Sequence, residues 1–195
     1  MKPTKNSWLE KTEFSGDSGS RSERTDFVSE DDAELMQLVQ SLRIKITIMG
    51  CGGGGSNTIR RLAQAGVSGA TLVACNSDAR HLLSIVAPNK ILLGKATTKG
   101  LGAGAIPEIG ARAAEESSEE IRKFVQNANI VFVTAGMGGG TGTGSAPVVA
   151  ENAKRYGALV IGVTTLPFKA EGKLRMENAL RGLSRLREYL SLIHI

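Results

Sequence analysis

The sequence predicts a doubly wound, mainly parallel α/β domain in three layers. Three observations carry this. Short apolar runs alternate with longer segments of helical period through residues 43–190. The apolar runs lack an in/out alternation, as strands covered on both faces do. Three glycine-rich stretches each follow an apolar run, at the strand ends where such sheets bind ligands.

In chain order, "IKITIMG" (44–50) is the first strand, "CGGGGSN" a loop, and "TIRRLAQAG" the start of a helix. "ATLVAC" (70–75) is the second strand, and "NSDARHLLSIV" turns into a helix behind Asn76 or Ser77. "KILLG" (90–94) is a short third strand, followed by "TTKGLGAGAIP", whose Pro107 opens one helix over about 107–127. "NIVFVTAG" (129–136) is the fourth strand, leading into "GMGGGTGTG" and the helix of "SAPVVAENAKRYG". "ALVIGVTTLP" (158–167) is the fifth and last strand. A final helix from about 172 to 190 buries Met176, Leu180, Leu183, Leu186 and Leu190. Upstream, residues 1–28 have the composition of a disordered polar tail. Residues 29–42 read as a helix with an acidic first turn and an apolar stripe of Leu35, Leu38, Val39 and Leu42.

The net charge of +5 divides into −4 for residues 1–42 and +9 for the remainder. A basic body suits a phosphate-bearing ligand. Its cations are scattered, however, and eight aromatics are few for base stacking, so nucleic acid is not an expected partner. No apolar run approaches the roughly 20 residues of a membrane span, and the N-terminus lacks a secretory signal, which predicts a cytoplasmic chain without membrane insertion. Cys51 and Cys75 form no disulfide framework or metal-ligand spacing.

Glycine loops between strand and helix point to phosphate. Backbone amides bind phosphate where no Cβ keeps it away, and a helix N-terminus adds unpaired donors and a positive dipole end. Gly50, Gly52 and Gly55 satisfy G-x-G-x-x-G, which tight helix–strand packing also explains. The run from Gly136 to Gly144 holds six glycines and two threonines, more than packing readily accounts for. Two such loops, with a third at "GLGAGAIP", predict a polyphosphate gripped from several sides. No G-x-x-x-x-G-K-[ST] occurs, since Gly94 and Lys95 are followed by Ala96. A nicotinamide or flavin oxidoreductase would explain the first loop and an acid near Asn76 and Asp78, but not the loop after strand four.

The stretch "GGGTGTGSAPVVAE" resembles the signature loop of the tubulin superfamily, specifically the FtsZ family of prokaryotic cell-division GTPases. "GCGGGGSN" (50–57), "NSDA" (76–79), "GLGAGAIPEIG" (100–110) and "PFKAEGKLRMENA" (167–179) agree in order and spacing, over about residues 43–190. The acidic N-terminal extension is more similar to archaeal members. The resemblance implies a Rossmann-like GTPase domain, incomplete at the C-terminus in this chain, binding GTP or GDP, with Mg²⁺ held mainly by phosphates and water. By matching position, Gly53, Gly54, Gly55, Ser56 and Asn57 would hold the α- and β-phosphates. Ala103, Gly104 and Ala105 would lie by the γ-phosphate. Gly138, Gly139, Gly140, Thr141 and Gly142 would cradle the phosphates from the opposite side. Glu171 would lie near the ribose and Arg175 near the nucleotide, although four-residue spacing also describes an ordinary surface ion pair. Where the family usually has Asn, this chain has Ile106.

The same resemblance implies head-to-tail filaments that build a division ring, recruited by membrane-tethering proteins. Hydrolysis would be completed by acidic residues of the adjacent subunit, from a region beyond residue 195, leaving this stretch of chain inactive alone. A non-catalytic nucleotide-binding scaffold is the alternative. The closing "SLIHI" resembles nothing in the family, and "LSLIHI" matches a translated sequencing-library transposase end, so residues 191–195 are expected to be a non-native tail.

Overall fold

The computed structural model describes Glu34, Leu35 and residues 44–195. Glu34 and Leu35 are helical; the rest of the expected 29–42 helix and the 1–28 tail lie outside the described residues. The sheet belongs to a compact unit spanning residues 43–195.

Six strands form one parallel sheet: β1 (Ile46–Cys51), β2 (Ala70–Asn76), β3 (Asn89–Leu92), β4 (Ile130–Gly136), β5 (Leu159–Thr165) and β6 (Leu192–His194). Their order is β3-β2-β1-β4-β5-β6, so successive crossovers run one way from β1 to β3 and the other way from β4. The switch point lies between β1 and β4, where a crevice opens at the carboxyl ends. Register makes that rim flush, with Cys51 opposite both Cys75 of β2 and Ala135 of β4.

Side chains of one strand parity enter the larger core, where Met49, Cys51, Val73, Cys75, Val131 and Val133 meet the helices after β3 and β4. The opposite parity meets α1 (Gly52–Gln64) and α2 (Ala79–Ser84) through Ile59, Leu72, Ala74, Leu82 and Ile85. This second face is covered unevenly, for Phe132, Ile161 and Val163 are only half-buried. The expectation of full cover on both faces therefore holds for one face alone.

Four details depart from expectation. The segment 107–127 is two helices, α4 (Pro107–Glu116) and α5 (Ser118–Val125), because buried Ser117 leaves helical geometry and its Oγ accepts from the Gly94 amide at 2.9 Å. The loop before them contains a short helix, α3 (Lys95–Thr98), whose Ala96 and Thr97 amides donate to the Glu116 carboxylate at 2.8 and 2.9 Å. The cap of α2 is Asp78 rather than Asn76 or Ser77, its carboxylate accepting from the His81 amide at 3.0 Å. Finally, the sheet continues past β5, because residues 192–194 pair with Ile161–Val163. Edge pairing of this kind uses backbone groups that any extended segment supplies.

The last helices are α6 (Gly140–Arg155) and α7 (Lys173–Arg187). Of the stripe predicted on α7, Leu183 and Leu186 are buried, whereas Leu180 is exposed.

Candidate functional site at the switch point

Both glycine stretches that read as loops are first turns of helices. Helix α1 begins at Gly52, directly after β1, and α6 begins at Gly140, three residues after β4. Neither N-terminus has a side-chain cap or an acidic residue in its first turn. The first amides of a helix have no i−4 acceptor, so two sets of donors and two positive dipole ends face one crevice. The termini touch: a Cβ on Gly54 would stand 3.1 Å from the Gly136 nitrogen. One on Gly52, at φ +68°, would stand 2.6 Å from the Gly142 nitrogen. Beneath them the buried Cys51 thiol, pushed up to about 12 by desolvation, keeps the floor neutral.

Packing explains more of the Gly136–Gly144 run than its composition suggested. Gly142 approaches the Gly136 carbonyl, Gly140 the Ala103 and Gly104 carbonyls, and Gly144 the backbone of α4. Gly138, at φ +107°, lies against the Arg175 carbonyl. Only Gly139 and Gly136 have no such close backbone neighbour: nothing stands within 4 Å of a Cβ on Gly139, and the nearest atoms to one on Gly136 are at 3.6 Å. Some donors are already engaged. The Gly138 amide donates to Thr143 Oγ1 at 2.8 Å and the Gly140 amide to the Gly104 carbonyl at 2.8 Å. The Thr141 and Gly142 amides retain no helical acceptor, and the Thr141 hydroxyl pairs with Ser77 Oγ at 2.6 Å.

The third loop reaches the crevice although β3 is the sheet edge. Its Gly104 lines the cleft and meets α6 through the bond to Gly140. Ile106 occupies the N-cap of α4, half-exposed and without a capping bond. An asparagine there is expected to raise stability by about 1 kcal/mol through a bond to a first-turn amide, which a thermal melt of Ile106→Asn measures.

On the far wall, Arg175 of α7 donates to Glu171 Oε2 at 2.7 Å, and the Phe168 amide donates to Glu171 Oε1 at 2.8 Å. The ion pair allowed for by spacing is therefore present, and both members also line the cleft. The Phe168 amide, followed by Arg175, lowers the Glu171 pKa below the ordinary 4.5. The arrangement persists above the unfolded-state value and is lost as pH falls through the lower folded one. Ligand affinity is expected to hold from neutral pH down to about 5 and to decline below the ordinary carboxylate range, as an affinity titration against pH would read. Each oxygen of Glu171 keeps a lone pair for a hydroxyl donor.

The cleft has a volume of about 360 Å³. It gathers Gly53, Gly54, Gly104, Gly139, Gly140, Thr141, Gly142, Glu171 and Arg175 from the predicted set. The remaining six stand behind or beside it. Gly55 packs on Gly50 and the Thr134 carbonyl, Ser56 is wholly buried with no partner for its Oγ, and Asn57 is in the second turn of α1. Ala103 is buried, Ala105 is tied to α7, and Gly138 forms the turn into α6. Met137, Thr165, Leu166 and Pro167 also line the cleft. Reading loops one at a time misses the last three, because it takes the strand order to show that β5 ends beside β4. Among the described residues no group of three or more His, Cys, Asp or Glu is placed to hold a metal.

Uncapped helix N-termini meeting at the switch point of a parallel sheet define a doubly wound α/β protein with a crevice suited to an anion. A family model described as "Tubulin/FtsZ family, GTPase domain" matches residues 45–195. The chain is 54% identical over 162 residues to the "Cell division protein FtsZ 1" of Methanocaldococcus jannaschii, covering 83% of this chain and 44% of that relative. A solved structure titled "FtsZ dimer, empty (M. jannaschii)" superimposes with a TM-score of 0.78 at 53% identity, covering 85% of this chain and 48% of that one. One titled "CetZ1 from Haloferax volcanii - GDP bound monomer" superimposes with a TM-score of 0.70 at 32% identity, covering 77% and 50%. The chain belongs to the Tubulin/FtsZ family. It spans less than half the length of the curated relative it matches.

Proposed function

We propose that the full-length protein binds and hydrolyses GTP and assembles head to tail into filaments of the division ring. The observation that carries this reading is the meeting of two uncapped helix N-termini with the Glu171–Arg175 pair around one cleft. The family, and relatives named as cell-division proteins, support it.

In this reading the Gly53 and Gly54 amides hold the α- and β-phosphates, with Gly55, Ser56 and Asn57 setting the helix behind them. Gly138, Gly139, Gly140, Thr141 and Gly142 form the opposite wall, where the Thr141 and Gly142 amides are the available donors. Ala103, Gly104 and Ala105 stand by the γ-phosphate. Glu171 accepts from a ribose hydroxyl while Arg175 holds its carboxylate in place. Mg²⁺ would be held by phosphate oxygens and water, and would neutralise phosphate charge. The catalytic acids come from the adjacent subunit, so the nucleotide sits at the contact and its hydrolysis weakens assembly. Membrane recruitment falls to tethering proteins; no described helix is long and apolar enough to cross a membrane.

Turnover measured against protein concentration on the full-length gene product tests this. Cooperative onset above a critical concentration is expected. Tight GTP binding with no turnover at any concentration would leave a scaffold instead, and no calorimetric heat with GTP and Mg²⁺ would remove the nucleotide reading altogether.

A further inference from the structure

Asn178 is a buried carboxamide on α7, 3% exposed, and it is the residue that ties Ala105 to that helix. Its Nδ2 donates to the Ala105 carbonyl at 3.0 Å, and its Oδ1 accepts from Arg181 at 2.8 Å. Among the described residues it is the one side chain bonded to the backbone of the 103–105 turn. Helix α7 is itself seated on α6: a Cβ on Gly138 would stand 3.0 Å from the Arg175 carbonyl, and Gly182 lies against Thr143. Asn178 therefore extends from a fixed support to a turn rich in positive-φ glycines, Gly100, Gly102 and Gly104. It lies three residues beyond Arg175, on the same side of the helix.

A carbonyl oxygen swung toward a phosphate would repel it, and a donor that engages that carbonyl keeps it away. With Ile106 giving α4 no side-chain cap, the turn is anchored by Gly140 on one side and Asn178 on the other. We infer that Asn178 is a positioning residue that holds the Ala103–Ala105 turn against α7 so that the site distinguishes nucleoside triphosphate from diphosphate. This rests on the nucleotide reading above.

The test is calorimetry on the full-length protein with GDP and with a slowly hydrolysed GTP analogue. Asn178→Asp keeps the oxygen for Arg181 but sets a second oxygen against the Ala105 carbonyl. It is expected to weaken the analogue about tenfold and GDP less than twofold. Asn178→Ala, which removes the donor without adding repulsion, is expected to shift the ratio the same way by a smaller factor. Equal losses for both ligands, or an unchanged ratio in a variant with a wild-type melt, would overturn the proposal. So would failure of both variants to fold, which would make Asn178 a core residue only. Absence of binding by the natural protein would overturn the nucleotide reading instead.

Discussion

Gly139→Asp is expected to abolish nucleotide binding while leaving the fold as stable as before, or slightly more so. Gly139 is the N-cap of α6, with φ −88° and ψ 179°, a conformation open to any residue, and a Cβ there meets nothing within 4 Å. Aspartate is a favoured N-cap, a few tenths of a kcal/mol better than glycine. Its carboxylate would accept from the Thr141 or Gly142 amide and neutralise the positive helix end. Those donors are the ones a phosphate needs, and the carboxylate would repel it as well. A loss of at least roughly 100-fold in GTP affinity is expected, with an unchanged or raised melting temperature. A substitution that damaged packing would lower both, so a fall in both would show that Gly139 is structural and that the cleft is not the anion site.

Gly144→Ala is expected to have the opposite signature. A Cβ there would meet the Pro107 carbonyl oxygen closer than real Cβ atoms come, with the Ala111 nitrogen at 2.6 Å and the Gly110 carbonyl carbon at 3.0 Å. All three are backbone atoms of α4, so no side-chain rotation relieves the clash and the two helices must separate. The higher helix propensity of alanine returns only about 1 kcal/mol. Overpacking against backbone costs about 3 kcal/mol or more, a large share of the 5–15 kcal/mol that stabilises a domain. The urea midpoint should fall accordingly, and Gly139→Ala, with open space around it, should shift it little. A midpoint unmoved by Gly144→Ala would mean that α4 and α6 are less tightly apposed than the structure places them.

This pair of glycines, five residues apart in one run, also shows how far the sequence carried. The run was legible as a candidate site because composition is local. Which glycine opens to the cleft and which seats a helix was not legible, since that depends on α4, more than thirty residues earlier. The same holds for G-x-G-x-x-G: Gly52 and Gly54 meet the second run, while Gly50 and Gly55 pack on each other. The tight packing suggested for the motif is present at Gly50 and Gly55, while Gly54 beside them lines the cleft. Glu171 and Arg175 show a comparable duality, being both an ion pair and part of the cleft wall. The break at Ser117 is not legible in the sequence because serine alone is a weak signal; its bond to the Gly94 amide is a contact between distant segments.

Periodicity and strand–helix alternation were enough to establish five of the six strands, the parallel class and the end of the sheet where the cleft opens. These follow from hydrophobic burial and backbone hydrogen bonding, which act over a few residues and leave their pattern in the chain itself. Strand order, the apposition of α1 with α6, the reach of the 103–106 turn to the switch point, and the role of Asn178 required the assembled molecule. Each is a contact between residues far apart in sequence, where the deciding quantity is an interatomic distance of about 3 Å that no local pattern encodes.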